Sequence, residues 1–446
     1  MSRVFVRILV VAAAAGGLGA AAPTTHERFW PSWRGPAATG EGPTARPPVE
    51  WSETKNVRWK VEIPGRGQSS PVVWGDLVFL TSAVPTDKGP AVPRPAPPAP
   101  ASGVRAHPEV SRDDRVQAFT VFAVGRSDGK VRWSRVVREA VPHEGTHKDG
   151  SLASGSVTAD AQRVVASFGS YGLYCLDHKG KVLWDKQIGE MKIKLAFGEG
   201  SSPVLHGDRL IVNSDHEGPS FTAVFDAKTG KELWRKERDE RTSWSTPLVV
   251  AHGGRRQVVV SATKRVRSYD LDTGELLWDA GGMTDNAIPS PVAADGLVYV
   301  TSGFRGSLLL AVRLDEAKGS LAGPPGIAWS YDKDTPYVPS PLLYQGALYF
   351  LKSNNAILTR LDARTGEKQW SERIEGVEGV YASPVAADGR IYVVGRNGVT
   401  ATVRAGATFE VLAKSALDDG FDASPALVDG EVYLRGRKSL YRISAD

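Results

Sequence analysis

Ser340-Pro341-Leu342-Leu343-Tyr344-Gln345-Gly346-Ala347-Leu348-Tyr349-Phe350-Leu351 decides the fold. A short apolar run opens at Ser-Pro, turns at Gln345-Gly346 and returns through alternating aliphatic and aromatic residues, the pattern of two antiparallel strands joined by a tight turn. A third run reaches Leu361-Asp362. Thr365-Gly366 then sends the chain into an outer strand carrying Trp370. The unit reads as a four-stranded antiparallel sheet.

Copies of the unit start at Ser70, Ser154, Ser202, Thr246, Ser290, Ser340, Ser383 and Ser424, the second being the loosest, with Gly155 where the others have proline. Beyond the first interval the starts recur every 41 to 50 residues, the length of one propeller blade. The first interval is longer because of an insertion from Val84 to Arg115, where Pro85, Pro90, Pro93, Pro95, Pro97, Pro98, Pro100 and Pro108 crowd together. Such a stretch is expected not to pair as a strand and to form an extended loop. The last copy, from Ser424, holds three strands and no Trp-bearing one, whereas Asn56-Val57-Arg58-Trp59-Lys60-Val61-Glu62-Ile63 is a Trp-bearing strand with no unit before it. The sequence therefore predicts an all-β, eight-bladed propeller of four-stranded antiparallel blades, closed by an N-terminal strand that completes the last blade. Closure of this kind removes free sheet edges.

The turn before the outer strand recurs from Asp226 to Trp234, from Asp270 to Trp278 and from Asp362 to Trp370, with looser versions ending at Trp133 and Trp184. Glycine supplies the positive φ of this turn, and Asp and Thr side chains satisfy its backbone. The Asp-x-x-Thr-Gly-x-x-x-Trp pattern resembles the tryptophan-docking motif of the pyrroloquinoline-quinone-like repeat family. That eight-bladed group includes bacterial quinoprotein dehydrogenases and an outer-membrane assembly factor. Trp30-Pro31-Ser32-Trp33-Arg34-Gly35-Pro36, Pro64-Gly65-Arg66-Gly67, Phe168 to Cys175 and Phe197 to Pro203 are similar to secreted propellers of the same group, so the resemblance covers nearly all of the chain. It implies that Trp59, Trp133, Trp184, Trp234, Trp278, Trp329 and Trp370 each pack on a neighbouring blade, with Phe409 in place of an eighth. In the dehydrogenases it also implies pyrroloquinoline quinone with calcium, an acidic base and a disulfide of adjacent cysteines. Here the single cysteine, Cys175, departs from that pattern.

Composition agrees with many turns and few helices: 47 Gly and 29 Pro in 446 residues. The net charge of +5 includes Arg3 and Arg7, and the other basic residues are scattered, which excludes a nucleic-acid footprint. Basic residues, an apolar run from Ile8 to Leu18 and small residues after it read as a signal peptide over residues 1–22, cut after Ala20 or Ala21. The run is too short to span a bilayer core, and no cysteine near the cut offers a lipid attachment point. A single propeller domain over 23–446, monomeric and periplasmic or secreted, is expected.

In a propeller whose innermost strand comes first, the residues just ahead of each Ser-Pro ring one mouth of the central channel. They are Gln68; His147, Lys148 and Ser151; Glu199; Arg241 and Trp244; Asp285 and Asn286; Tyr337; Tyr381; Asp419 and Asp422. Mixed aromatic, amide and charged groups suit a polar ligand or a peptide segment of another envelope or secreted protein. His143-Glu144-Gly145-Thr146-His147 matches a two-histidine zinc pattern, but Pro142, Gly145 and Gly150 oppose the helix it needs, and no third ligand is evident. Asp215-His216-Glu217-Gly218 reads first as a polar turn, and no Gly-x-Ser-x-Gly elbow occurs. A non-catalytic binding or scaffold protein with no metal or cofactor is expected, with a quinone-dependent oxidoreductase as the alternative.

Overall fold

The short inner strand of each unit leaves one edge facing the axis, and the hydroxyl of the Ser-Pro motif is what ties these edges together. In the computed structural model, which describes residues 24–89 and 109–445, the N–H of Ser70 donates to the hydroxyl of Ser156 in the next blade. The pattern continues through Ser202, Thr246, Ser290, Ser340, Ser383 and Ser424, whose N–H returns to Ser70. Donor–acceptor distances are 2.8 to 3.0 Å throughout. Each bond satisfies a buried N–H that would otherwise cost about 1–3 kcal/mol. The ring corrects the start of the second unit. Its member is Ser156, not Ser154, and the inner strand Thr158–Ala159 begins two residues later, as in the other blades.

Eight sheets surround this ring, spanning 72–140, 158–186, 204–238, 248–281, 292–331, 342–373, 385–416 and 426–444 (blades 1 to 8). Blade 8 takes its outer strand, Val57–Glu62, from the N-terminal side, pairing antiparallel with Ser439–Ser444. The hydrophobic core lies between blades. Ile211 and Val224 of blade 3, for example, pack against Val258 and Val260 of blade 4.

The tryptophans explain the turn motif. The indole N–H of Trp59, Trp133, Trp184, Trp234, Trp329 and Trp370 each donates to a carbonyl of the following blade at 2.8 to 3.2 Å. The ring of Trp184 lies on Gly230 of blade 3's turn, so close that a Cβ there would sit 2.7 Å from it. The turn glycine of one blade is thus the seat for the tryptophan of the blade before.

Three expectations need correction. Trp278 does not dock on its neighbour: its indole donates to Gln257 of its own blade. Blade 5 replaces the Gly turn with an excursion whose residues Gly319–Leu321 pair in parallel with Trp278, Asp279 and Ala280, making blade 4 five-stranded. Phe409 does not dock on blade 8; it packs edge-on against Trp370 of the preceding blade. The insertion between blade 1's middle strands is partly paired: Val84 and Pro85 end a strand against Ala118 and Gln117, and Val110–Ser111 pairs with Thr146–His147. Pro85 is tolerated because a strand terminus needs no further ladder N–H. The other insertion prolines, and the expected signal peptide, lie outside the described residues.

The stretch from Trp30 to Arg46 closes one end of the channel. It bonds to Val73 of blade 1, Ala159 of blade 2, Leu343 of blade 6, Ala386 of blade 7 and Asp429 of blade 8, all about three to five residues beyond the hydroxyl ring. Arg34, buried at its centre, donates to the carbonyls of Pro384 at 2.6 Å, Pro341 at 2.6 Å and Thr39 at 3.0 Å. With no carboxylate among these partners, burial lowers its pKa to about 9, so the guanidinium stays charged near neutral pH.

Candidate functional site

Strand alternation decides what the open mouth displays. The residues two positions before each ring hydroxyl are Gln68, Ser154, Gly200, Trp244, Ile288, Val338, Tyr381 and Asp422, and all eight line one cavity of about 370 Å³. Trp33, from the N-terminal segment, lies between this cavity and the opposite end. The mouth is therefore a cup with a floor.

The wall has two characters. Blades 3 to 7 give an apolar arc through Trp244, Ile288, Val338 and Tyr381, widened by Phe197 and Tyr337. Trp244 is held by its N–H to Gly198 O at 2.7 Å and meets Phe197 edge-on, while Tyr337 stacks on Phe304 with centroids 4.6 Å apart. The remaining arc is polar. Gln68 donates to Asp149 O at 2.9 Å; Arg396 lies over the Tyr381 ring at 4.1 Å and donates to Asp149 at 2.7 Å; Asp422 lies 2.6 Å from Arg396 and accepts from Arg437 at 2.9 Å.

Of the residues expected at the mouth, Gln68, His147, Trp244, Tyr337, Tyr381 and Asp422 line the cavity. His147 does so while buried, beside Glu109 at 3.2 Å and against Phe197 with centroids 4.1 Å apart. Lys148 pairs with Glu109 and lines a neighbouring cavity. Asn286 sits behind the wall, donating to the Tyr337 hydroxyl at 3.3 Å. Arg241, Asp285 and Glu199 also stay out of the cup. Arg241 and Asp285 are exposed outside it. Glu199, one residue out of phase with Gly200, turns inward to accept from Ser170 N at 2.7 Å and Ser170 Oγ at 2.6 Å, and dehydration there pushes its carboxyl up to about 8. Ser151 and Asp419 are structural: Asp419 accepts the N–H groups of Gly420, Lys438 and Ser439.

The two motifs set aside above are internal fastenings. Residues 143–147 form a loop and a two-residue strand, with His143 on the Tyr171 hydroxyl at 2.9 Å and Met191 O at 2.7 Å. Asp215 is fully buried on Arg238 at 2.8 Å, and Glu217 accepts from Thr242 at 2.8 Å. Sequence reading missed Trp33, Phe197, Glu109, Asp149 and Arg396. Only the parity rule, fixed by the hydroxyl ring, separates wall residues from their neighbours.

The model of the family of the outer membrane protein assembly factor BamB matches residues 47–218, 117–317 and 222–446. The chain belongs to the BamB family. A Yersinia pestis BamB is 26% identical over 209 residues, covering 42% of this chain and 49% of that one, so the match spans about half the relative's length. The BamB structure from Moraxella catarrhalis superposes with a TM-score of 0.58 at 14% identity, over 87% of this chain and 97% of that one. Quinohemoprotein alcohol dehydrogenase from Comamonas testosteroni gives 0.64 at 12%, over 94% and 81%. These superpositions show the shared fold.

The dehydrogenase neighbours raise the question of a quinone and its calcium. Cys175 is buried in a strand of blade 2, its thiol pushed up to about 12 by burial. Among the described residues no group of three or more His, Cys, Asp or Glu side chains is placed to hold a metal ion. The mouth carboxylates Asp149 and Asp422 are already engaged by arginines. The residues present do not reproduce the calcium-and-disulfide arrangement that the resemblance implies.

Proposed function

We propose that this protein is a non-catalytic binding propeller of the cell envelope that captures a segment of a partner protein in the cup at the open mouth of its channel. One observation carries the reading: the segment leading into each of the eight inner strands contributes one wall residue, giving an apolar arc opposite a charged one above the Trp33 floor. An extended peptide offers that combination, with side chains alternating between two faces and a backbone that needs polar partners. The BamB relatives, named as assembly factors of the outer membrane, support a scaffold role and an envelope location. No helix among the described residues is long and apolar enough to cross a membrane, and export by the N-terminal signal belongs to the same reading.

The test is selection from a displayed random-peptide library on the purified chain, followed by titration of the selected peptides. Trp244→Ala and Tyr337→Ala each remove a wall aromatic and should weaken binding at least tenfold, about 1.4 kcal/mol or more. Peptides that bind both variants as tightly as the parent would refute the cup as the site. Calorimetry with pyrroloquinoline quinone and calcium covers the oxidoreductase reading: saturable binding with substrate-dependent dye reduction would replace the scaffold proposal.

A further inference from the structure

A second cavity, of about 420 Å³, opens beside the cup and shares Gln68, Asp149, Asp422 and Ala423 with it. Its lining brings five cations, Arg66, Lys148, Arg396, Arg435 and Arg437, against two carboxylates, Asp149 and Asp422. Those two are spent on Arg396 and Arg437, and Lys148 is taken by Glu109. Among the described residues, two guanidiniums remain hydrogen-bonded only to neutral oxygens. Arg66 donates to the carbonyl of Lys148. Arg435 is buried, 4% exposed, and its Nη1 donates to the carbonyl and hydroxyl of Ser69, with no carboxylate of the described residues in contact. Gly67 lets it lie there, since a Cβ at that position would come 2.6 Å from its Nη2.

A buried guanidinium without a counter-charge has lost its water and gained only dipoles. Burial accordingly lowers the pKa of Arg435 to about 9, and Arg66 shifts the same way. An oxyanion entering the cavity would restore the missing charge, with the planar donor forks that suit carboxylate and phosphate oxygens.

We propose that this side cavity is an oxyanion subsite, in which Arg66 and Arg435, joined by the Nη1 of Arg437 that its Nε and Nη2 bonds to Asp422 leave over, hold a carboxylate or phosphate group next to the cup. The inference deepens the peptide reading by naming the chemistry of the occupant at the polar arc, and it rests on that reading only for the carboxylate's source. Inorganic phosphate is the first probe, titrated calorimetrically into the full chain at low ionic strength. Saturable binding is expected. Arg66→Gln and Arg437→Gln, both at accessible side chains, should each weaken it at least tenfold, and Arg435→Gln should abolish it. Arg364→Gln, which removes the same charge from an exposed outer turn, should leave it unchanged. Equal phosphate binding by the parent, Arg66→Gln and Arg437→Gln, or none by the parent, overturns the subsite.

The second arm replaces each Asp or Glu of a selected peptide by its amide. A tenfold loss with the parent that vanishes in Arg66→Gln assigns the subsite to a peptide carboxylate. Phosphate binding without that discrimination supports the subsite and assigns it to a free anion. Phosphate has no side chain for the aromatic wall, so its binding stands or falls separately from peptide capture in the cup.

Discussion

A single glycine shows how the repeat works at the scale of one residue. Gly230 has φ +69° and a Cβ there would sit 2.7 Å from the Trp184 ring, whereas Gly207, in another turn of the same blade, has φ +57° and open space around its missing Cβ. Alanine at Gly207 should cost only the left-handed strain, about 1–2 kcal/mol. Alanine at Gly230 adds displacement of a packed ring, roughly another 1–3 kcal/mol. Chemical denaturation of both variants checks this, and equal losses would mean that Trp184 does not bear on the turn. The sequence displays the glycine and the tryptophan of one motif together but not that they serve different partners, because the seat of each tryptophan lies in the next copy. The same limit applies at the mouth. Glu199 and Gly200 are both ahead of Ser202, and only the alternation anchored at the hydroxyl ring sends one into the blade and the other to the cavity.

At the scale of strands and blades, the count of eight and the closing strand were legible because strand alternation, turn glycines and the missing Trp strand of the last unit are local features. What departed from the pattern came from contacts between copies. The strand Gly319–Leu321 belongs to blade 5 in sequence and to blade 4 in pairing, and Ser154 resembles the ring position that Ser156 fills. The closing strand carries the clearest consequence. Val57–Glu62 covers the edge of Ser439–Ser444, and Trp59 reaches across to Arg126 O of blade 1 at 2.8 Å. Deleting residues 57–62 removes a ladder and a docking tryptophan together and exposes an edge strand. The melting temperature should fall by at least about 5 °C, with dimers or larger species by size-exclusion chromatography. A truncated chain that melts with the parent and stays monomeric would show that blade 8 closes without this strand.

For the whole molecule, the N-terminal segment determines that one channel end is open and the other shut. Nothing in its composition announces this, since a channel axis exists only after eight blades have closed around it. Arg34 is the centre of the closure: its guanidinium gathers Pro341 O and Pro384 O from blades 6 and 7, and Thr39 O from its own segment. Arg34→Leu leaves these carbonyls without their donor at a site where water enters poorly, and hydrogen bonds to a charged group are worth about 1.5–3 kcal/mol each. The segment should loosen before the blades do, because the hydroxyl ring and the docked tryptophans do not pass through it. Hydrogen exchange resolves the two. The amides of Val73 and Ala386, which bond to Trp30 O and Gly40 O at 2.9 Å, should exchange at least tenfold faster in Arg34→Leu. The ring amides of Ser340 and Ser383 should keep their protection. If all four accelerate together, the segment is part of one cooperative unit with the propeller; if none does, the guanidinium is not what holds the floor in place.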